Sequence, residues 1–204
     1  MSLPTVWSYL PMFANNLTKK FDLFIQLNLP NRITLCRIFL VPVMLVFLIS
    51  PSTSGSFIAA LIFAAAAFTD WLDGHLARAN HQITTLGKLL DPIADKLLIT
   101  ATLIPLVALG RVSPWIAVIL IGREFAVTGL RGIAAAKGVI IAASNWGKYK
   151  MLCQVVALIL LILYYPPVFI GLGQGILYLS LFLSVASGID YFRSFWQNLD
   201  LIID

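Results

Sequence analysis

The chain has 204 residues, 60% of them hydrophobic and only 11% charged, with a formal net charge of +5 and a mean hydropathy of +0.93. A soluble domain carries about a quarter charged residues, so this composition excludes a water-soluble globule and makes lipid the solvent for much of the surface. A spanning helix takes about 20 mostly apolar residues to cross about 30 Å of hydrocarbon, which leaves room for roughly six or seven spans, short loops and no separate soluble domain.

Residues 5–27 differ from the rest of the chain. Val6, Trp7, Leu10, Phe13, Leu17, Phe21 and Phe24 recur at spacings of three and four, while Asn16, Lys19, Lys20, Asp22 and Gln26 fall mainly elsewhere around the helix. This pattern predicts an amphipathic helix lying in the membrane surface; the alternative is a helix packed on the membrane domain. Lys19 and Lys20 come late and no short apolar stretch ending in A-x-A comes after them, so a cleavable signal is not expected. Residues 1–30 are read as this helix and a linker, and residues 31–204 as one membrane domain.

Asn31 is a plausible N-cap after Pro30. Six apolar segments come next, at 32–50, 56–79, 92–110, 113–137, 147–166 and 173–194, separated by short breaks at 51–55, 80–88, Gly110-Arg111, 138–145 and 166–173. The expected fold is an all-α integral membrane protein of six transmembrane helices preceded by the interfacial helix. Cys36 and Cys153 lie inside apolar runs without CxxC spacing, as buried free thiols do. Lys19, Lys20, Arg32, Arg37, Arg78, Lys88, Lys96, Lys137, Lys148, Lys150 and Arg193 cluster at one set of helix ends; the opposite loops hold only Arg111. By the positive-inside rule both termini and the loops at 80–88 and 138–146 are cytoplasmic.

Four of the nine acidic residues fall between Asp70 and Asp95. A carboxylate in or near hydrocarbon is costly, which makes an intramembrane acid a functional candidate. Asp70, Asp73, Gly74, Ala77 and Arg78 step by three and four along the end of the second segment, and Gly87, Asp91 and Asp95 step by four across the start of the third. Four neighbouring carboxylates cannot all ionise without counter-charge. One or two hard divalent cations supply it, and magnesium leaves open positions for phosphate oxygens. The small residues Gly74, Ala77 and Gly87 give a ligand access to backbone, and Arg78 offers a planar fork for phosphate. Simple pairing of the acids with Arg78, Lys88 and Lys96 accounts for the charge but not for the small residues or the spacing.

Asp70-x2-Asp73-Gly74-x2-Ala77-Arg78-x8-Gly87-x3-Asp91-x3-Asp95 resembles the full motif of the CDP-alcohol phosphotransferase family, with no position missing. The resemblance extends to the six-span layout and chain length. It implies attack of an alcohol hydroxyl on the β-phosphorus of CDP-diacylglycerol, with CMP displaced. Asp70, Asp73 and Asp91 would then bind Mg2+ or Mn2+, two ions in all, and Asp95 would complete the site as general base. Gly74, Ala77, Arg78 and Gly87, with Asp70, would line the nucleotide pocket.

Arg123 and Arg131 share a face of the fourth segment, and Lys148 and Lys150 open the fifth. Such a set suggests a second anionic group; the alternatives are an Arg123 pair with Glu124 or Asp190 and snorkelling lysines. The segments Leu29-Pro30-Asn31-x2-Thr34-x2-Arg37-Ile38, Gly122-Arg123-Glu124 with Leu130-Arg131, and Ala143-Ser144-x2-Gly147-Lys148-x-Lys150 resemble the bacterial phosphatidylglycerophosphate synthase branch, although Met151 stands where that branch often has threonine. That branch implies sn-glycerol 3-phosphate as acceptor, held by Arg123, Arg131, Lys148 and Lys150. It also implies Asn31 and Thr34 bordering the nucleotide, membrane lipid around the protein, a bacterial inner membrane location and a homodimer. No nucleic-acid partner is expected. Phosphatidylglycerol, serine or an inositol phosphate are the other acceptors within the family. A transporter would place its acids near the bilayer midplane and repeat internally; here the acids sit at span ends, without a repeat.

Overall fold

The computed structural model describes residues 29–49, 52–79, 85–139 and 146–198, with the side chains of 29–31, 70–79, 85–89 and 91 outside that description. The segment 5–27, expected as an interfacial helix, lies outside the described residues. Among the described residues six helices form: α1 (Leu29–Ile49), α2 (Thr53–Ala79), α3 (Thr85–Ala108), α4 (Pro114–Ala136), α5 (Trp146–Leu163) and α6 (Val168–Gln197).

The helix stops arise from local chemistry. Gly110 (φ 69°) and Gly138 (φ 77°) take the left-handed conformation that ends α3 and α4. Around each, two backbone bonds close the last turn. Arg111 N donates to Leu106 O at 2.9 Å and Gly110 N to Val107 O at 2.9 Å; Val139 N donates to Ala134 O at 2.9 Å and Gly138 N to Ala135 O at 3.0 Å. Pro114, which lacks an N–H to waste, opens α4 behind Ser113.

Every helix contributes to one core. Met44 and Leu48 of α1 meet Phe63 and Ala66 of α2, Leu103 and Leu106 of α3, Leu120 of α4, Leu158 and Leu161 of α5, and Leu177 of α6. Helix α1 packs on α2 and α3, α5 on α6 and α2, and α4 on α6 and α3. At the end of the bundle away from the acidic segment, Arg111 Nη1 donates to Leu161 O and Ile162 O at 3.1 Å each. Its guanidinium also stacks 4.0 Å from the ring centre of Tyr164. A cation on the last carbonyls of α5 satisfies acceptors that the helix itself leaves open.

The outward faces are apolar. Phe39, Val46, Phe57, Phe68, Val118, Phe125, Leu152, Phe182 and Ile189 are all exposed, far more apolar surface than a water-soluble monomer presents. Among the described residues, three helices are long and apolar enough to cross a membrane: α1 from Arg32, α5 and α6. The chain is an all-α integral membrane protein. Helices α2, α3 and α4 are also long, at 27, 24 and 23 residues, but each is interrupted by charge. Those three carry most of the candidate site.

Candidate active site

Helix α2 runs unbroken to Ala79 and α3 is helical from Thr85. Asp70, Asp73, Gly74, Ala77 and Arg78 therefore occupy the last turns of α2, and Gly87, Asp91 and Asp95 the first turns of α3, on two helices in mutual contact. The side chains of Asn31, Asp70, Asp73, Ala77, Arg78 and Asp91 lie outside the described residues. Helix geometry nevertheless puts residues at spacings of three and four on a common side of each helix. The position of the α2 end is fixed from α1: Arg37, 1% exposed, donates from Nε to Ala66 O at 3.2 Å, and Thr69 Oγ1 donates to the same carbonyl at 2.8 Å. That carbonyl lies one turn before Asp70. Thr34, also fully buried, sits one turn before Arg37 on α1. The donor set on the two helix ends consists of carboxylates, without thiolate or imidazole among the four motif positions, and so fits a hard divalent cation.

Asp95, half-buried, opens onto a cavity of about 310 Å³ bounded by α3, α4, α5 and α6. Among the described residues, Lys96, Arg123, Arg131, Lys148 and Lys150 line it, together with the carboxylates Asp95 and Glu124. Five cations converging from α3, α4 and α5 suit an anionic ligand.

These cations are held in two ways. Lys150, 6% exposed, is ion-paired to Glu124 Oε1, and Arg123 Nη1 meets the same oxygen at 3.0 Å. Arg123 also donates from Nε to Ser184 O at 2.9 Å and from Nη2 to Ser187 Oγ at 2.8 Å. It passes over Gly188, where an added Cβ would stand 3.2 Å from its Cγ and Nε. Arg131 and Lys148 are exposed and make no ion pair with a described residue. The Arg131 guanidinium lies 5.6 Å from the Tyr191 ring centre, in the range of a cation–π contact. Arg123 and Lys150 form a braced inner pair, and Arg131 and Lys148 an uncommitted outer pair.

The family model for CDP-alcohol phosphatidyltransferase matches residues 27–186. A Bacillus subtilis protein named CDP-diacylglycerol–glycerol-3-phosphate 3-phosphatidyltransferase is 38% identical over 187 residues, covering 84% of this chain and 97% of the relative. Proteins of the same name from Rickettsia bellii and Pseudomonas fluorescens are each 36% identical, over 82% and 85% of this chain and 94% and 92% of their own lengths. The chain belongs to the CDP-alcohol phosphatidyltransferase family. It is a membrane transferase of phospholipid synthesis.

Within this phosphatidyltransferase, the structure brings Asp95, Arg123, Arg131, Lys148 and Lys150 around one cavity although they come from three helices. Glu124 and Lys96 are legible from sequence as charge partners, and both line the same space. Gln154, Ser187 and Tyr191 are further lining residues that the sequence alone does not single out. Gln154 carried a usable signal: it is the one amide in the apolar run 151–163 and lies four residues past Lys150.

Proposed function

We propose that the protein transfers the phosphatidyl group of CDP-diacylglycerol to sn-glycerol 3-phosphate, giving phosphatidylglycerophosphate and CMP. The observation that carries the acceptor is the single cavity joining Asp95 to five cationic side chains. A neutral acceptor such as serine has no use for that charge, and the names of the relatives point to the same alcohol.

The residues divide the work. Arg131 and Lys148, unpaired in the described structure, bind the acceptor phosphate; Arg123 and Lys150, braced by Glu124, set the positive field behind it. Asp95 accepts the proton of the attacking hydroxyl, the new bond forms from that oxygen to the β-phosphorus, and the bond from phosphorus to the bridging oxygen breaks with its electron pair leaving on CMP. A general base of this kind acts within about 2.6–3.2 Å of the hydroxyl. Asp70, Asp73 and Asp91, with Asp95 beside them, would hold one or two divalent cations, Mg2+ or Mn2+. Bound there, such ions would offset the charge of the pyrophosphate and of the leaving CMP. Asn31, Thr34, Gly74, Ala77, Arg78 and Gly87 border the cytidine diphosphate, and the diacyl tail lies along the apolar outer faces.

Six spans, with both termini and the cavity mouth on the cytoplasmic side of a bacterial inner membrane, agree with the basic residues at one set of helix ends. A homodimer is part of the same proposal. Purified protein incubated with CDP-diacylglycerol, Mg2+ and radiolabelled glycerol 3-phosphate should yield a phosphorylated lipid and one CMP per lipid. Chelation with EDTA should abolish the product and added Mg2+ or Mn2+ restore it. Product formed only from serine, inositol phosphate or phosphatidylglycerol would refute the acceptor assignment.

A further inference from the structure

Gln154 is a polar side chain whose hydrogen bonding the described protein leaves incomplete. It is 3% exposed and lines the cavity from α5. Its Nε2 is buried without a hydrogen-bond partner. A carboxamide inside a membrane bundle is costly unless its donors and acceptor are met, and helices in lipid use such groups across their contacts. Several other buried polar groups are met: Thr102 Oγ1 donates to Leu98 O at 2.8 Å, Ser180 Oγ to Lys150 O at 3.3 Å, and Lys150 to Glu124; Ser184 Oγ and Tyr191 Oη, like Gln154 Nε2, are not.

Position narrows the ligand. Gln154 stands four residues past Lys150 on the same side of α5, about 6 Å further along the helix axis. Gln154 shares the cavity wall with the apolar Ile99 and Ile121 and is buried, whereas Arg131 and Lys148 are exposed. A half-turn of the terminal amide exchanges its nitrogen and oxygen without changing its shape, so Gln154 can offer a donor or an acceptor to the cavity. A neutral group of both characters matches a hydroxyl better than an anion. Tyr191 also has an unpartnered buried hydroxyl, but it lies beside Arg131 and belongs with the charged end.

We propose that Gln154 determines acceptor specificity by hydrogen-bonding the hydroxyl that does not react, so that the enzyme selects a dihydroxy alkyl phosphate over one with a single hydroxyl. This rests on glycerol 3-phosphate being the acceptor. A site built around a buried amide rejects an analogue that leaves the amide unpaired.

The test compares kcat/KM for sn-glycerol 3-phosphate and for 3-hydroxypropyl phosphate, which lacks the central hydroxyl, using the full chain with CDP-diacylglycerol and Mg2+. The wild type should favour glycerol 3-phosphate by roughly 10–100-fold. Gln154→Met should bring the ratio to within about threefold of unity, by losing rate on glycerol 3-phosphate and little on the analogue. A smaller folded fraction lowers both rates together, so the ratio reads specificity alone. Gln154→Glu keeps the shape and an acceptor, and should give an intermediate ratio where the methionine variant does not fold. An unchanged ratio in these variants, or a wild type without preference, overturns the role of Gln154. A wild type that uses neither phosphate is a different result, overturning the acceptor assignment and this inference with it.

Discussion

Two cations share the Glu124 carboxylate, and this decides which positive groups remain for a ligand. Arg123 and Lys150 are spent on Glu124, Ser184 and Ser187, whereas Arg131 and Lys148 are exposed at the cavity. The outer pair should therefore govern acceptor affinity. Arg131→Ala or Lys148→Ala is expected to raise KM for glycerol 3-phosphate by roughly 10-fold, with kcat changed much less, because a contact equal in ground and transition states acts on binding. Steady-state kinetics at saturating CDP-diacylglycerol check it; a fall in kcat at unchanged KM would contradict it. Asp95 stands in a different relation to the reaction. Asp95→Asn keeps the shape but removes the proton acceptor, and turnover should drop by roughly 10²–10⁴-fold while CDP-diacylglycerol still binds in an equilibrium assay. At this scale charges were legible in the sequence because ionised groups near hydrocarbon are too costly to be incidental. Neutral Gln154, Ser187 and Tyr191 were not, since hydroxyls and amides also occur in membrane helices merely as packing contacts; their role depends on which partners the fold gives them.

Helices α2, α3 and α4 carry most of the charge, and the more apolar α1, α5 and α6 pack against them. Their ends were largely legible: Gly110, Gly138 and Pro114 stop or start helices where the sequence predicts. Two boundaries differ by more than one helical turn. Helix α3 begins at Thr85, seven residues before the expected start at 92, so the helix includes Pro92 and residues 85–88 of the loop expected at 80–88. Helix α6 begins at Val168 and includes Gly171, Gly173 and Gly175, where a break to residue 173 is expected. Gly173 is a packing residue: an added Cβ would stand 2.9 Å from Leu161 Cγ, so a bare backbone lets α5 and α6 approach closely. Long-range contact of that kind leaves no local trace. Arg111 locks the opposite end of the bundle through the Leu161 and Ile162 carbonyls and the Tyr164 ring. Arg111→Ala should cost about 1.5–3 kcal/mol, the usual worth of hydrogen bonds to a charged donor. The measurement is a lowered thermal midpoint in detergent; kcat/KM at a temperature where the variant is folded should stay near wild type, because Arg111 does not line the Asp95 cavity.

For the molecule as a whole, function depends on which face of the membrane the cavity opens to, since CMP and glycerol 3-phosphate are water-soluble and enter from one side. Charge predicts the answer. Lys96, Arg131, Lys137, Lys148 and Lys150 lie toward the end of the bundle that carries the aspartates, and Arg111 alone lies among the opposite loops. Basic flanks stay on the cytoplasmic side during insertion. Ser113 and Lys137 mark the two ends of α4; Ser113 is exposed and makes no side-chain cap bond, and Lys137 is exposed at the helix stop. In a background with Cys36 and Cys153 replaced by alanine, Ser113→Cys should react with a membrane-impermeant maleimide on intact spheroplasts. Lys137→Cys should react only after permeabilisation. Both variants lie outside the cavity lining and should keep transferase activity, which certifies the labelled protein as folded. The reverse labelling pattern would put the aspartates and the cavity mouth on the outer face, away from cytoplasmic glycerol 3-phosphate, and would refute the orientation. Labelling of both sites before permeabilisation would show that α4 does not cross the membrane, and the six-span arrangement would fall with it.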